Sequence, residues 1–184
     1  IRLSPLTAGL YMQLIFSYFW SICLLKGHPA DFPNNRVVLG SVLAVYCCSV
    51  VFAATLTYPQ RTFASVLGIT LTALIIQTTL VWLLSWFKNV PQRFPSIWGS
   101  TLGAGIIMTW LLLPIHTILL DSDSQALLLF ADSATWIWLG WSLAIVGNIL
   151  SKGVKISVLQ GAIIAFVIEL LSVIATFMLF PGTD

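Results

Sequence analysis

Five long apolar stretches, separated by short polar breaks, constrain this chain more than any other feature. They run over Val37–Thr57, Phe63–Phe87, Ile97–Leu120, Ala126–Leu150 and Ile156–Phe180. Each holds roughly 20 residues or more, enough for a helix to cross a hydrocarbon core about 30 Å thick. The expected fold is therefore an all-α integral membrane protein: a bundle of five transmembrane helices plus an N-terminal interfacial or re-entrant helix. Residues 1–36 read as an N-terminal amphipathic segment and proline-rich loop, and residues 37–184 as a single five-helix transmembrane domain. Charged residues make up 8% of the chain. Soluble domains carry roughly 25%, so this surface is not built for water. A net charge of +2 is too small to argue for nucleic acid.

The distribution of charge matters more than its sum. With five spans, one face carries Arg2, Lys26, Arg36, Lys88, Arg93, Lys152 and Lys155. The other carries Arg61 as its one basic residue, with Asp121, Asp123, Asp132 and Asp184. The positive-inside rule assigns the first face to the cytoplasm. The expected setting is a bacterial inner membrane, with the N-terminus cytoplasmic and the C-terminus periplasmic. The chain starts at Ile1 without a methionine, so residues are expected before it. Leu6–Leu25 lacks a small-residue cleavage site and is not read as a signal peptide.

Leu6–Leu25 is about the minimum spanning length. Gln13, Ser17 and Ser21 recur every four residues and would form a thin polar stripe on a helix. Tyr11, Tyr18, Phe19 and Trp20 favour the membrane–water interface. The segment fits an interfacial or re-entrant helix on the cytoplasmic side. It also fits a sixth span, which would move only Arg2 across. The segment Lys26–Arg36 holds Pro29, Pro33 and Gly27 and cannot continue a helix. Tyr58–Arg61 is a tight outer turn, Lys88–Pro95 a cytoplasmic loop, and Ser151–Lys155 the last cytoplasmic turn. Asp121 or Ser124 is placed to cap the following helix.

The order of two short motifs carries a family resemblance. Leu24-Leu25-Lys26-Gly27-His28-Pro29-Ala30-Asp31-Phe32-Pro33 precedes the first span. Arg93-Phe94-Pro95-Ser96-Ile97-Trp98-Gly99-Ser100-Thr101-Leu102-Gly103-Ala104-Gly105 opens a middle one. Together they resemble a family of small proteobacterial membrane proteins. The five-span layout is also similar to that of Yip1-type membrane proteins, whose eukaryotic relatives are associated with membrane trafficking and small GTPases. The resemblance implies a fold and a location, and no activity.

Glu169 is the most informative polar side chain, near the middle of its span. An ionised carboxylate at the bilayer centre costs on the order of 2.5–3.5 kcal/mol or more. Glu169 is therefore expected to face the bundle and to be protonated, paired or hydrated. At ~1.5 Å per residue it lies about 20 Å from the cytoplasmic end, with Thr109 and Gln77 within about 5 Å of that depth. His116 lies roughly 9 Å further out. A proton or cation site is one function for this set. A carboxylic acid hydrogen-bonded between helices is the purely structural one. His116, two residues after Pro114, suits either a relay or a hydrogen-bonded interfacial histidine.

Gly99, Gly103 and Gly105, and more weakly Gly161, are helix-packing candidates, because small residues let helices approach closely. Their partner could lie within the chain or in another subunit. His28 and Asp31 are candidates for a polar loop site near the headgroups. Trp136, Trp138 and Trp141, with Trp82, Trp86 and Trp98, read mainly as an aromatic belt. Cys23, Cys47 and Cys48 show no metal-ligand spacing. No catalytic motif, metal site or cofactor is indicated. The expected function is a non-enzymatic accessory, assembly or scaffold subunit that binds the lipid bilayer and other integral membrane subunits or itself. The alternative is a small transporter or channel component using Glu169. Impermeant thiol labelling of Lys88→Cys and Lys152→Cys, in a background free of the native cysteines, is expected to mark both from the same border. Marking from opposite borders would overturn this threading.

Overall fold

The computed structural model of the chain describes residues 5–33, 35–121 and 124–181, with the backbone alone over 5–12 and 119–121. Arg2, Asp123 and Asp184 lie outside the described residues, as does the side chain of Asp121. Six helices follow in order: α1 (Pro5–Cys23), α2 (Arg36–Thr57), α3 (Phe63–Phe87), α4 (Phe94–Asp121), α5 (Gln125–Val154) and α6 (Val158–Leu179). Short 3-10 turns at Pro29–Asp31 and Pro91–Arg93 break the loops before α2 and α4. Helices α2 to α6 are each long and apolar enough to cross a membrane, and in α1 the apolar stretch among the described side chains is Gln13–Cys23. The protein is thus an all-α integral membrane bundle. A helix suits lipid because its backbone hydrogen bonds close within the segment.

Local chemistry sets the boundaries. Asn35 Oδ1 accepts the Val37 N–H at 2.9 Å to start α2. Thr62 Oγ1 accepts from Ser65 N at 3.3 Å to start α3. Ser157 and Gln160 form a reciprocal capping box, with both bonds at 3.1 Å, to start α6. Such caps satisfy first-turn donors that no helix carbonyl can reach. Two boundaries differ from the sequence expectation. Helix α4 begins at Phe94, with Pro95 in its first turn, where a missing N–H costs nothing. Helix α5 runs through Ser151–Val154 and stops at Lys155, which takes the left-handed conformation with φ 57°. Ser124 holds the N-cap position of α5.

The five long helices close into a ring in the order α2, α4, α5, α6, α3, and α3 also meets α4 across it. Helix α1 lies outside the ring against α4 and α5. Phe19 and Ile22 are buried in that seam, and the loop residue Phe32 joins them. Lipid tails are as apolar as leucine, so helices here gain little from leaving lipid and associate by close packing and hydrogen bonds. Indole and amide donors supply several of those bonds. Trp110 Nε1 donates to Ser49 Oγ at 3.2 Å, tying α4 to α2. Trp138 Nε1 donates to the Met108 carbonyl at 2.9 Å, tying α5 to α4. Trp141 Nε1 donates to the Cys23 carbonyl at 3.1 Å, tying α5 to α1. These tryptophans fasten helices together, which for Trp138 and Trp141 is a use beyond the belt role expected from their positions.

The closest backbone approach joins α5 and α6. A Cβ added at Gly147 would stand 2.7 Å from the Ala162 nitrogen. One added at Gly161 would strike the Gly147 carbonyl oxygen. Both obstacles are backbone, so no side-chain rotation relieves them. Gly161→Ala is expected to lower stability by about 1–3 kcal/mol, the usual range for overpacking. Gly140→Ala, where the added Cβ meets nothing within 4 Å, is the control and is expected to be nearly neutral. Reversible unfolding in detergent micelles checks both.

Candidate functional site

All five long helices line one cavity of about 260 Å³, which opens to the protein surface where Glu169 is exposed. Tyr46 enters from α2, Gln77 from α3, Thr101 and Thr109 from α4, Ser142 from α5 and Glu169 from α6. Glu169 sits at the middle of the 22-residue α6, far from either end. Gln77 Nε2 donates to Glu169 Oε2 at 2.9 Å. That bond joins α3 to α6 and turns the polar end of each side chain toward the other. Among the described residues Glu169 forms no ion pair. Its charge, when present, is met by one amide donor and no cation.

The other polar groups of the wall divide into two kinds. Thr101 Oγ1 donates to the Ile97 carbonyl at 2.9 Å and Ser142 Oγ to the Leu139 carbonyl at 2.8 Å. Their protons are engaged by their own helices. The hydroxyls of Thr109 and Tyr46 make no hydrogen bond among the described residues. A phenol tip and a threonine hydroxyl in a low-dielectric cavity can serve an occupant that offers a matching donor or acceptor. Tyr46 was missed in the sequence reading. Its signal was a tyrosine halfway along an apolar stretch instead of at an interface. Gly105 makes room for it: a Cβ there would come within 2.8 Å of the Tyr46 ring.

His116 does not join Glu169. It lines an adjoining cavity of about 170 Å³ with Thr57 and Tyr58. Val50, Thr109 and Trp138 are walls of both cavities, so the two lie back to back along the bundle. His116 Nδ1 lies 3.5 Å from Thr57 Oγ1, and that hydroxyl already donates to the Ala53 carbonyl at 2.9 Å. In the Thr57 contact His116 Nδ1 is therefore the donor. Among the described residues no three His, Cys, Asp or Glu side chains stand together as a metal site.

The glycine candidates all meet neighbours within the chain. The Phe32 ring occupies the space beside Gly99, and the Phe19 ring the space beside Gly103. Gly161 meets Gly147 as described. In the loop before α2, His28 Nδ1 accepts the Ala30 N–H at 3.1 Å and caps the 3-10 turn. Asp31 is exposed and does not share a cavity wall with His28. Two residues not singled out in the sequence stand beside His28 instead: Arg93 and Lys152.

Compared with protein-family models, curated proteins and solved structures, the chain matches none. The geometry of its own residues is what bears on its function. Gln77→Leu removes the amide donor to Glu169, and stability is expected to fall by about 1–2 kcal/mol. Combining it with Glu169→Leu, which removes the acceptor, in a double-mutant cycle in detergent is expected to show coupling. Additive effects would mean that the bond does not form.

Proposed function

We propose that this chain is a small transporter or channel component in which Glu169 takes up a proton or a small cation inside the membrane. The carrying observation is the placement of Glu169: a carboxylate without a cationic partner among the described residues, in a cavity to which every long helix contributes. An intramembrane ionisable group is costly to keep and is usually found on ion and proton pathways. The back-to-back cavity at His116 extends polar lining from the bundle centre toward the Tyr58–Arg61 turn. The basic residues Lys26, Arg36, Lys88, Arg93, Lys152 and Lys155 gather in the loops at the opposite end. By the positive-inside rule that end is cytoplasmic. In a bacterial inner membrane the route would then lead toward the periplasm, in keeping with the resemblance to small proteobacterial membrane proteins.

An accessory or scaffold subunit is the second reading. A lateral groove of about 900 Å³ supports it, lined by Phe16 of α1, Val38 and Val45 of α2 and Ile107 of α4. The Phe19 ring stands beside Gly103 on the wall of this groove, so a partner seated there would meet that ring and not a bare glycine. Wild-type protein reconstituted in vesicles is expected to pass protons or monovalent cations, and Glu169→Gln to reduce that flux to the level of empty vesicles. Flux unaltered by the substitution would refute the first reading. A flux-silent wild type that retains a second membrane protein through mild detergent extraction would favour the other.

A further inference from the structure

At the basic end of the bundle, three segments distant in sequence enclose a separate cavity of about 200 Å³. The loop after α1 contributes His28 and Phe32, the turn and first residues of α4 contribute Arg93 and Ser96, and the end of α5 contributes Lys152. We propose that this cavity binds a phosphate group, held by Arg93, Lys152 and His28.

Each of the three nitrogenous groups is anchored and still has protons to offer. Lys152 Nζ donates to the Gly27 carbonyl at 2.9 Å and the Leu25 carbonyl at 3.2 Å. An ammonium has three protons, so one remains. Arg93 donates one guanidinium N–H to the Gly153 carbonyl at 3.3 Å. Four of its five N–H groups remain, in the fork that suits a tetrahedral oxyanion. His28 Nδ1 accepts the Ala30 N–H, so the neutral ring carries its proton on Nε2 and presents that as a donor.

The wall holds no carboxylate, and no ion pair forms among the described residues. Lys152 is tied to a carbonyl beside His28, and Arg93 to the carbonyl beside Lys152. Two positive side chains therefore share the wall of one cavity that no carboxylate lines, an arrangement that an anion suits. The cavity lies where α4 starts and α5 ends. That is the border of the apolar spans, the level at which lipid phosphates lie.

A phosphate could arrive there on an anionic lipid headgroup or free from solution. Full-length protein in detergent, presented with phosphatidylglycerol and phosphatidylcholine and read by native mass spectrometry, separates the sources. Preferential retention of phosphatidylglycerol, by about tenfold, supports a lipid site; a rise in melting temperature with millimolar inorganic phosphate, without that preference, supports a soluble one. Either response is expected to weaken about tenfold in Arg93→Gln, read against that variant's own ligand-free melting temperature. If that variant does not fold, His28→Asn serves, because an asparagine oxygen can still cap the turn while the Nε2 donor is lost. The proposal fails if both lipids are retained equally and phosphate has no effect. It also fails if the folded variants respond as the wild type does.

Discussion

A lipid interior offers the backbone no hydrogen-bond partner, and it gives packed helices no advantage for being apolar. The first condition forces every span into a helix. The second leaves the arrangement of those helices to contacts that apolarity does not supply: close backbone approach and interhelical hydrogen bonds. The α5–α6 seam shows the first kind of contact. Gly147 and Gly161 bring two backbones so near that no Cβ fits on either side. The indole donors of Trp110, Trp138 and Trp141 show the second, each reaching an acceptor on a neighbouring helix. With those fastenings in place, the five long helices form a ring whose middle is not filled.

What lies in that middle separates polar groups by their freedom. Thr101 and Ser142 turn back to carbonyls of their own helices and add little that an occupant could use. Glu169 and Gln77 are different, because their polar ends meet in the cavity, and Tyr46 and Thr109 line the same wall with their hydroxyls unengaged among the described residues. A carboxylate in such a place is stabilised by whatever neutralises or solvates it, and Gln77 meets only part of that need. Transport chemistry can use that unmet need, since a site that binds a proton or cation only moderately can also release it.

The two ends of the bundle are built differently. At the basic end, backbone carbonyls of the loop after α1 hold the Lys152 ammonium, and the Gly153 carbonyl holds Arg93. The loop is thereby tied to the end of α5, and the turn before α4 to the same end. At the other end, the side-chain contact is lighter: the Arg61 guanidinium lies 5.9 Å from the Tyr58 ring centre. Cationic groups thus brace the basic border of the bundle.

The membrane setting, the helical class and the positions of the spans were legible in the sequence, because they follow from run length and from the prolines, glycines and caps between runs. Phe63–Phe87 was delimited to the residue. Helix α5 was cut short, since Lys152 and Gly153 look like turn residues until the carbonyls that hold the ammonium are known. Depth counting brought Gln77 to Glu169, because rise per residue is a property of one helix. It could not say which helices are neighbours, and so it did not separate His116 into its own cavity or bring Tyr46 into the first. The glycines announced close packing, but only the fold revealed that Phe19, Phe32, Tyr46 and the Gly147 backbone fill the space beside them. Hydropathy and helix pitch act along the chain and can be read there. The order of helices around the ring depends on contacts between residues far apart in sequence, and only the tertiary structure decided it.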